Sequence, residues 1–180
     1  MREISLHVLD LAQNSIAANA TEIFILLEED LATNCLRLMV RDNGHGMTKE
    51  QCRKALDPFY TTRTARKVGL GLALLQAAAE RAAGQVRICS ELGKGTTVFA
   101  DFMYDHIDRA PIGDMAATLV SIITLNEQCH ITYRHRRDQR EFTVSSRELK
   151  QELAGMPLNH PQVVAWLGRY MRELEKTLEV

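Results

Sequence analysis

The chain has 180 residues and a mass of 20.3 kDa, with 46% hydrophobic residues, 25% charged residues and a formal net charge of -1. That length holds one compact domain, or one domain with a small appendage. The composition excludes disordered, collagen-like and low-complexity chains, and the balanced charge gives no bulk pull toward nucleic acid or an anionic membrane. From Ile4 to about Asn19, positions Ile4, Val8, Leu11 and Ser15/Ile16 recur at helical spacing and are mostly apolar, with Leu9 and Ala12 beside them. Thr21–Leu27 and Leu36–Val40 are aliphatic runs that predict two strands joined by the polar turn Glu28–Asn34. After the turn Arg41–Met47, Thr48 caps a short helix over Lys49–Leu56, with Gln51 placed to complete a capping box. Asp57-Pro58 stops that helix, and Phe59–Val68 is a polar, basic loop. Gly69–Ala83 is an alanine- and leucine-rich helix with Gly84 as its stop. Gln85–Glu91 and Thr96–Tyr104 flank Leu92-Gly93-Lys94-Gly95 and read as a hairpin.

The composition shifts at Asp105–Gly113, which carries Pro111 and Gly113 and divides residues 1–104 from residues 105–180. Beyond it, Asp114 caps a helix to about Leu125, and His130–Arg136 and Arg140–Ser145 form a second hairpin. Ser146–Leu153 is helical, and Asn159 and Pro161 open a last helix from Gln162 to about Leu178. The order predicts an α/β fold, a two-layer sandwich with an α+β C-terminal extension. Cys35, Cys52, Cys89 and Cys129 form no CxxC clip and read as reduced thiols. The N-terminus does not resemble a secretory signal and no apolar run is long enough to span a bilayer, so the expected location is the cytoplasm, away from the membrane.

Three polar residues interrupt the first helix, His7, Asp10 and Asn14, and spacings of three and four put them on one face. A carboxylate and a carboxamide one turn apart can orient a water or take part in a hydrated magnesium site; they can also be a solvated stripe. Gly44 and Gly46 follow a predicted strand, where they permit a tight turn and close approach of a flat ligand, and Asp42 could accept a hydrogen bond from an amino group. The same residues also make an ordinary Asp-Asn-Gly turn. Gly69-Leu70-Gly71 opens a helix after Arg63, Arg66 and Lys67, and exposed amides with nearby cations suit an anion. The segment is neither a Walker A loop nor a Rossmann fingerprint.

Taken in order, these segments resemble the GHKL superfamily of Bergerat-fold ATPases, which includes histidine-kinase catalytic domains, MutL proteins, type II topoisomerases and heat-shock chaperone ATPases. Residues Asp10–Thr21 resemble the N box, closest to its MutL form. Asp42-Asn43-Gly44-His45-Gly46-Met47 matches the first glycine box, and Asp57-Pro58-Phe59 through Arg63 resembles the F box of histidine kinases. Gly69-Leu70-Gly71-Leu72 resembles the second glycine box, and Gly93-Lys94-Gly95-Thr96-Thr97 the final GxGT turn. The resemblance covers residues 1–104 and implies a mixed sheet covered by helices, with ATP and Mg2+ as ligands. It implies Asn14 as the magnesium ligand, Asp42 as acceptor from the adenine amino group with Thr96 supporting it through water, and Gly44, Gly46 and Met47 around the adenine. Phe59–Val68 would be the lid, with Gly69, Leu70, Gly71 and Leu72 along the phosphates. Arg63, Arg66 or Lys67 would neutralise phosphate, an inference from charge alone.

The sequence departs from the family pattern in places. Family hydrolases place a glutamate one turn before the asparagine as general base; here it is Asp10, one methylene shorter, and a base must come within hydrogen-bond reach of its proton. Histidine kinases usually carry a basic residue where Ala17 stands and commonly a small polar residue where Val68 stands. No H box is present: His7 is followed by Val8 and reads as a packed or site-lining histidine. The resemblance therefore implies a stand-alone histidine-kinase-like regulator acting on a protein partner by phosphotransfer or nucleotide state. An ATP-gated dimerising clamp with slow hydrolysis and a non-catalytic nucleotide-binding adaptor are the alternatives. In the tail, Val164, Leu167, Met171, Leu174 and Leu178 form a seam at helical spacing, either packing on the domain's own sheet or forming a homodimer contact through 162–178. Arg134, Arg136, Arg137 and Arg140 make the second hairpin basic, but with no aromatic platform beyond Tyr133 and Phe142 nucleic acid is not expected.

Overall fold

A computed structural model describes residues 3–56, 70–153 and 155–179. Helix α1 (Ile4–Ala17) leads into strands β1 (Glu22–Asp30) and β2 (Cys35–Asp42) and the short helix α2 (Lys49–Lys54). Helix α3 (Leu70–Arg81), strands β3 (Gln85–Glu91) and β4 (Gly95–Met103) and helix α4 (Met115–Leu125) follow. Strands β5 (His130–Arg137) and β6 (Arg140–Ser145) and helices α5 (Ser146–Glu152) and α6 (Pro161–Lys176) complete the order. The six strands form one sheet in the order β3-β4-β2-β1-β5-β6. All neighbours are antiparallel except β1 and β5, so the sheet is mixed. The result is the expected α/β sandwich.

Alternation along the strands sorts side chains to two faces. Ile23, Ile25 and Leu27 of β1, Leu36, Leu38 and Val40 of β2, and Ile131 and Tyr133 of β5 point to one face and are buried there. Helices α1, α3 and α4 pack on that face, and α6 packs on α4. Ala78 and Ala79 of α3, with Ala82 just after it, give a flat buried side, which lets the helix backbone lie close to its neighbours.

Several local expectations hold at the atomic level. Thr48 and Gln51 form the reciprocal capping box of α2, and Asp114 caps α4 through the Ala117 amide. Others differ. The first strand runs to Asp30 rather than ending at Leu27, because its acidic end is held by partners from other elements. At the end of α3 the left-handed residue is Ala83, with φ 52°, not Gly84. Gly84 is needed for another reason: a Cβ there would overlap the Asp101 carbonyl of β4. His160, rather than Asn159, caps α6 through its ring Nδ1.

The end of the segment 105–113 is tied to the start of the chain's first helix. Helix α1 has no side-chain cap; the Pro111 and Ile112 carbonyls accept from the Ile4 and Ser5 amides at 2.9 and 2.8 Å. The C-terminal hairpin does not stand apart, since β5 continues the sheet along the whole of β1. Tyr133 and Phe142 are buried, and Leu167, Met171 and Leu178 of the last seam are buried too, with Val164 and Leu174 packed against the same core.

Candidate functional site

The first-glycine-box residues gather where β2 ends beside α1. Asp42 points to the helical face, and its carboxylate is held from three directions. Ser15 of α1 donates its hydroxyl to Oδ2 at 2.7 Å, and the Gly44 and Thr96 amides donate to Oδ1 at 2.9 and 3.3 Å. A carboxylate fixed by three donors presents its remaining lone pairs in a defined direction. Thr96, opposite Asp42 in the β2–β4 ladder, shares a hydrogen bond with Ser90 at 2.9 Å. Ser90 in turn donates to the Gly95 carbonyl and accepts from the Met47 amide at 2.8 Å, so it joins the two glycine turns. Ser15 and Ser90 escape the sequence reading. The one available signal for Ser15 is a polar residue on the apolar side of α1, 4% exposed.

The glycines have structural reasons in addition to any ligand. A Cβ at Gly44 would come within 2.7 Å of the Ala18 carbonyl oxygen. Gly46, at φ 66°, and Gly95, at φ 103°, face the backbone carbonyls of Glu91 and Asp42 so closely that a side chain would overlap them. Asn43 closes the other side, its Oδ1 accepting from the Thr21 and Glu22 amides at 2.9 Å. The Asp-Asn-Gly segment is thus a tight turn that also aims a carboxylate.

Along α1, Asp10 and Asn14 lie half-buried one turn apart on the expected face. The Asp10 carboxylate lies directly against Gly71, where any Cβ would overlap it. Gly71 is in the first turn of α3, so the second glycine box and the N box meet at a carboxylate beside a helix N-terminus. Leu70 opens α3, and Leu72 packs against the core. Phe59, Arg63, Arg66, Lys67 and Gly69 lie outside the described residues. Among the described residues no group of three or more His, Cys, Asp or Glu side chains is placed to hold a metal by itself.

His7 shares the helix but not the site. It is 1% exposed, with neither ring nitrogen hydrogen-bonded. Burial, together with the positive charges of the N-terminus and Arg81, pulls its pKa down from 6.5 to about 4. It is a packed, neutral imidazole closed to phosphate.

Residues 2–105 match the profile of the histidine kinase-, DNA gyrase B-, and HSP90-like ATPase family. The chain belongs to that family. The family match assigns these residues to an ATP-binding domain of the histidine-kinase kind. The tetrathionate sensor histidine kinase TtrS of Salmonella typhimurium is 30% identical over 109 residues, 58% of this chain and 18% of that protein. The sensor histidine kinase ZraS of Escherichia coli is 30% identical over 90 residues, 50% of this chain and 19% of that protein. The chain therefore spans less than a fifth of the length of either. In fold it is similar to the N-terminal domain of a DNA repair protein, with a TM-score of 0.60 at 15% identity, covering 81% of this chain and 53% of that one. That coverage exceeds residues 2–105, so the likeness in fold extends into the C-terminal elements. No helix among the described residues is long and apolar enough to cross a membrane.

Proposed function

We propose that this ATPase-family protein binds Mg·ATP beside Asp42 and acts as a histidine-kinase-like regulator on a phosphoacceptor carried by a partner protein. The observation that carries the proposal is the Asp42 carboxylate, aimed by Ser15, Gly44 and Thr96 inside the family's first glycine box. Asp42 accepts the adenine amino proton, with Thr96 beside it. Asn14 supplies an amide oxygen to the magnesium ion. The donor set fits: a single amide oxygen, with no cluster of charged ligands among the described residues, suits a cation whose other ligands are phosphate and water. When bound, the ion neutralises phosphate charge and makes the terminal phosphorus easier to attack. Asp10 is turned toward Gly71 and takes the proton from the attacking group. His7 is buried, so the acceptor is not this histidine.

A second reading, an ATP-gated dimerising clamp, draws support from the likeness in fold to the DNA repair domain, which runs past the family segment. A dimer contact through 162–178 would have to use the outer side of α6, where Trp166 and Tyr170 stack at 5.2 Å, because the apolar seam is spent inside the chain. In the third reading, the non-catalytic adaptor, nucleotide binds and its phosphate stays in place.

The deciding experiment follows the terminal phosphate of labelled ATP with magnesium, beside Asp10→Asn and Asn14→Ala. The expected result is bound, intact ATP in the isolated protein and label on a protein acceptor when one is supplied. Free phosphate that climbs with protein concentration and falls in Asp10→Asn favours the clamp. Neither release nor transfer favours the adaptor. Asn14→Ala should abolish the magnesium dependence of ATP binding; persistence of that dependence assigns the ion to another ligand.

A further inference from the structure

The face of the sheet opposite the helices carries an arrangement that the nucleotide site does not use. Arg87, Phe99, Met39, Leu26 and Arg134 are successive cross-strand partners in one row from β3 to β5. Phe24 stands in the next row, between Arg41 of β2 and Thr132 of β5. Phe24, Leu26, Met39 and Phe99 are half-buried and lie outside the core that the helices cover. They form a contiguous apolar patch at the centre of the sheet, the kind of surface that marks an interaction site.

The charges around it are unequal. At one margin Arg37 bridges Asp101 and Glu28, Arg87 pairs with Asp101, and Arg136 pairs with Glu28. Arg41 and Arg134 are exposed, and neither meets a carboxylate among the described residues. Their guanidinium groups instead lie over the Phe24 ring, 5.7 and 5.9 Å from its centroid. The patch is thus an apolar centre with two positive charges that meet no carboxylate among the described residues, and the carboxylates nearest to it, Glu28 and Asp101, are already engaged.

We propose that this face docks an acidic, amphipathic segment of a partner protein. The segment's apolar side chains cover Phe24, Leu26, Met39 and Phe99, and its carboxylates pair with Arg41 and Arg134. An apolar centre desolvated by the partner, with charges at its rim, is how protein interfaces concentrate their energy. A second copy of this chain fits less well, since it would bring the same unpaired arginines, and the one exposed carboxylate of this face without an ion pair among the described residues, Glu141, lies out on the edge strand β6. Nucleic acid fits less well: Phe24 and Phe99 are only half-exposed and stand on strands separated by β2, and Leu26 and Met39 between them offer bases no ring to stack on. The surface is independent of the nucleotide reading, because Arg41 and Asp42 are neighbours on a strand and point to opposite faces.

The test selects a random displayed-peptide library on the full chain, with counter-selection on the Arg41→Glu/Arg134→Glu double variant. Both side chains are exposed, so the variant should keep its thermal unfolding and its ATP affinity; those two measurements separate failure of this surface from failure of the ATP site. Enriched peptides should combine apolar residues with Asp or Glu and bind the double variant and Phe24→Ala roughly tenfold or more weakly. Exchanging the peptide's acids for Lys should abolish binding to the wild type and restore it to the double variant. No enrichment, enrichment without acidic residues, or equal binding to the variants overturns the proposal. So does oligothymidylate binding that these substitutions remove, which assigns the face to nucleic acid, or a wild-type dimer in sedimentation that they dissociate, which assigns it to a second copy.

Discussion

Asp42 and Glu29 stand at opposite ends of the β1–β2 hairpin, both on its helical face, and both are carboxylates held by donors from other elements. Asp42 is half-buried, and its three donors, two on Oδ1 and one on Oδ2, leave Oδ2 able to accept one more. Glu29 is 4% exposed and takes hydrogen bonds from the Tyr104 hydroxyl and the His135 ring, each at 3.0 Å. Burial alone would raise the Glu29 carboxyl, but the hydrogen bonds from His135 and Tyr104 outweigh it and hold it below the ordinary value. The same device serves two ends. An open carboxylate can recognise a ligand, and a closed one fastens β5 and the end of β4 to β1. The closed end is imperfect: His135 Nδ1, the Tyr133 hydroxyl and one Glu175 oxygen are buried without partners.

If Glu29 is the fastener, Glu29→Ala should cost the most, about 3–5 kcal/mol, since removing one member of a buried pair leaves the other unpaired. Urea unfolding checks this; a loss under 1 kcal/mol, the scale of an exposed pair, would assign the tie to packing alone.

Protonation gives the next largest effect, from a third buried group. The folded-state pKa of His7 is about 4 against 6.5, so the unfolded chain takes up the proton first. Stability is unaffected above pH 6.5 and falls as pH drops toward 4, by about 3 kcal/mol at the lower end. His7→Leu should remove that part of the slope in urea midpoints measured across this range. Equal slopes in the two proteins would mean that the imidazole is already protonated or solvated. Glu29 adds a loss at lower pH, as its depressed carboxyl protonates.

The open carboxylate should behave differently. Asp42→Asn is expected to weaken ATP binding by about 1.5–3 kcal/mol, the worth of a charge-assisted hydrogen bond, with little change in unfolding. Unchanged affinity by calorimetry would remove Asp42 from the adenine site. The smallest effect is expected for Ser15→Ala, about 0.5–1.5 kcal/mol in ATP binding, because Ser15 acts only by aiming Asp42. If Ser15→Ala weakens binding as much as Asp42→Asn, the serine touches the nucleotide itself.

Much of this was legible in the chain because its causes are local. The Thr48–Gln51 box joins residues three apart, and the Asp42–Gly46 turn is written in five consecutive residues. Glu28 and Glu29 read as part of a polar turn because nothing nearby explains them; their partners Arg37, Arg136, Tyr104 and His135 come from three other segments, whereas Asp30 is tied locally to the Thr33 amide. Ser15 was equally opaque, because it donates to a residue 27 positions away.

The sequence by itself determined the element types and an ATP-binding family domain over the first half, since turn glycines, caps and the motif order each depend on neighbours along the chain. Only the tertiary structure decided that β5 lies parallel along β1, that the α6 seam is covered by α4, and that Phe24 and Phe99 rather than Tyr133 and Phe142 face outward. An amphipathic pattern states that a face must be covered and leaves open by what. Alternation states that side chains go to two faces, and which face the helices cover is settled when distant strands join one sheet.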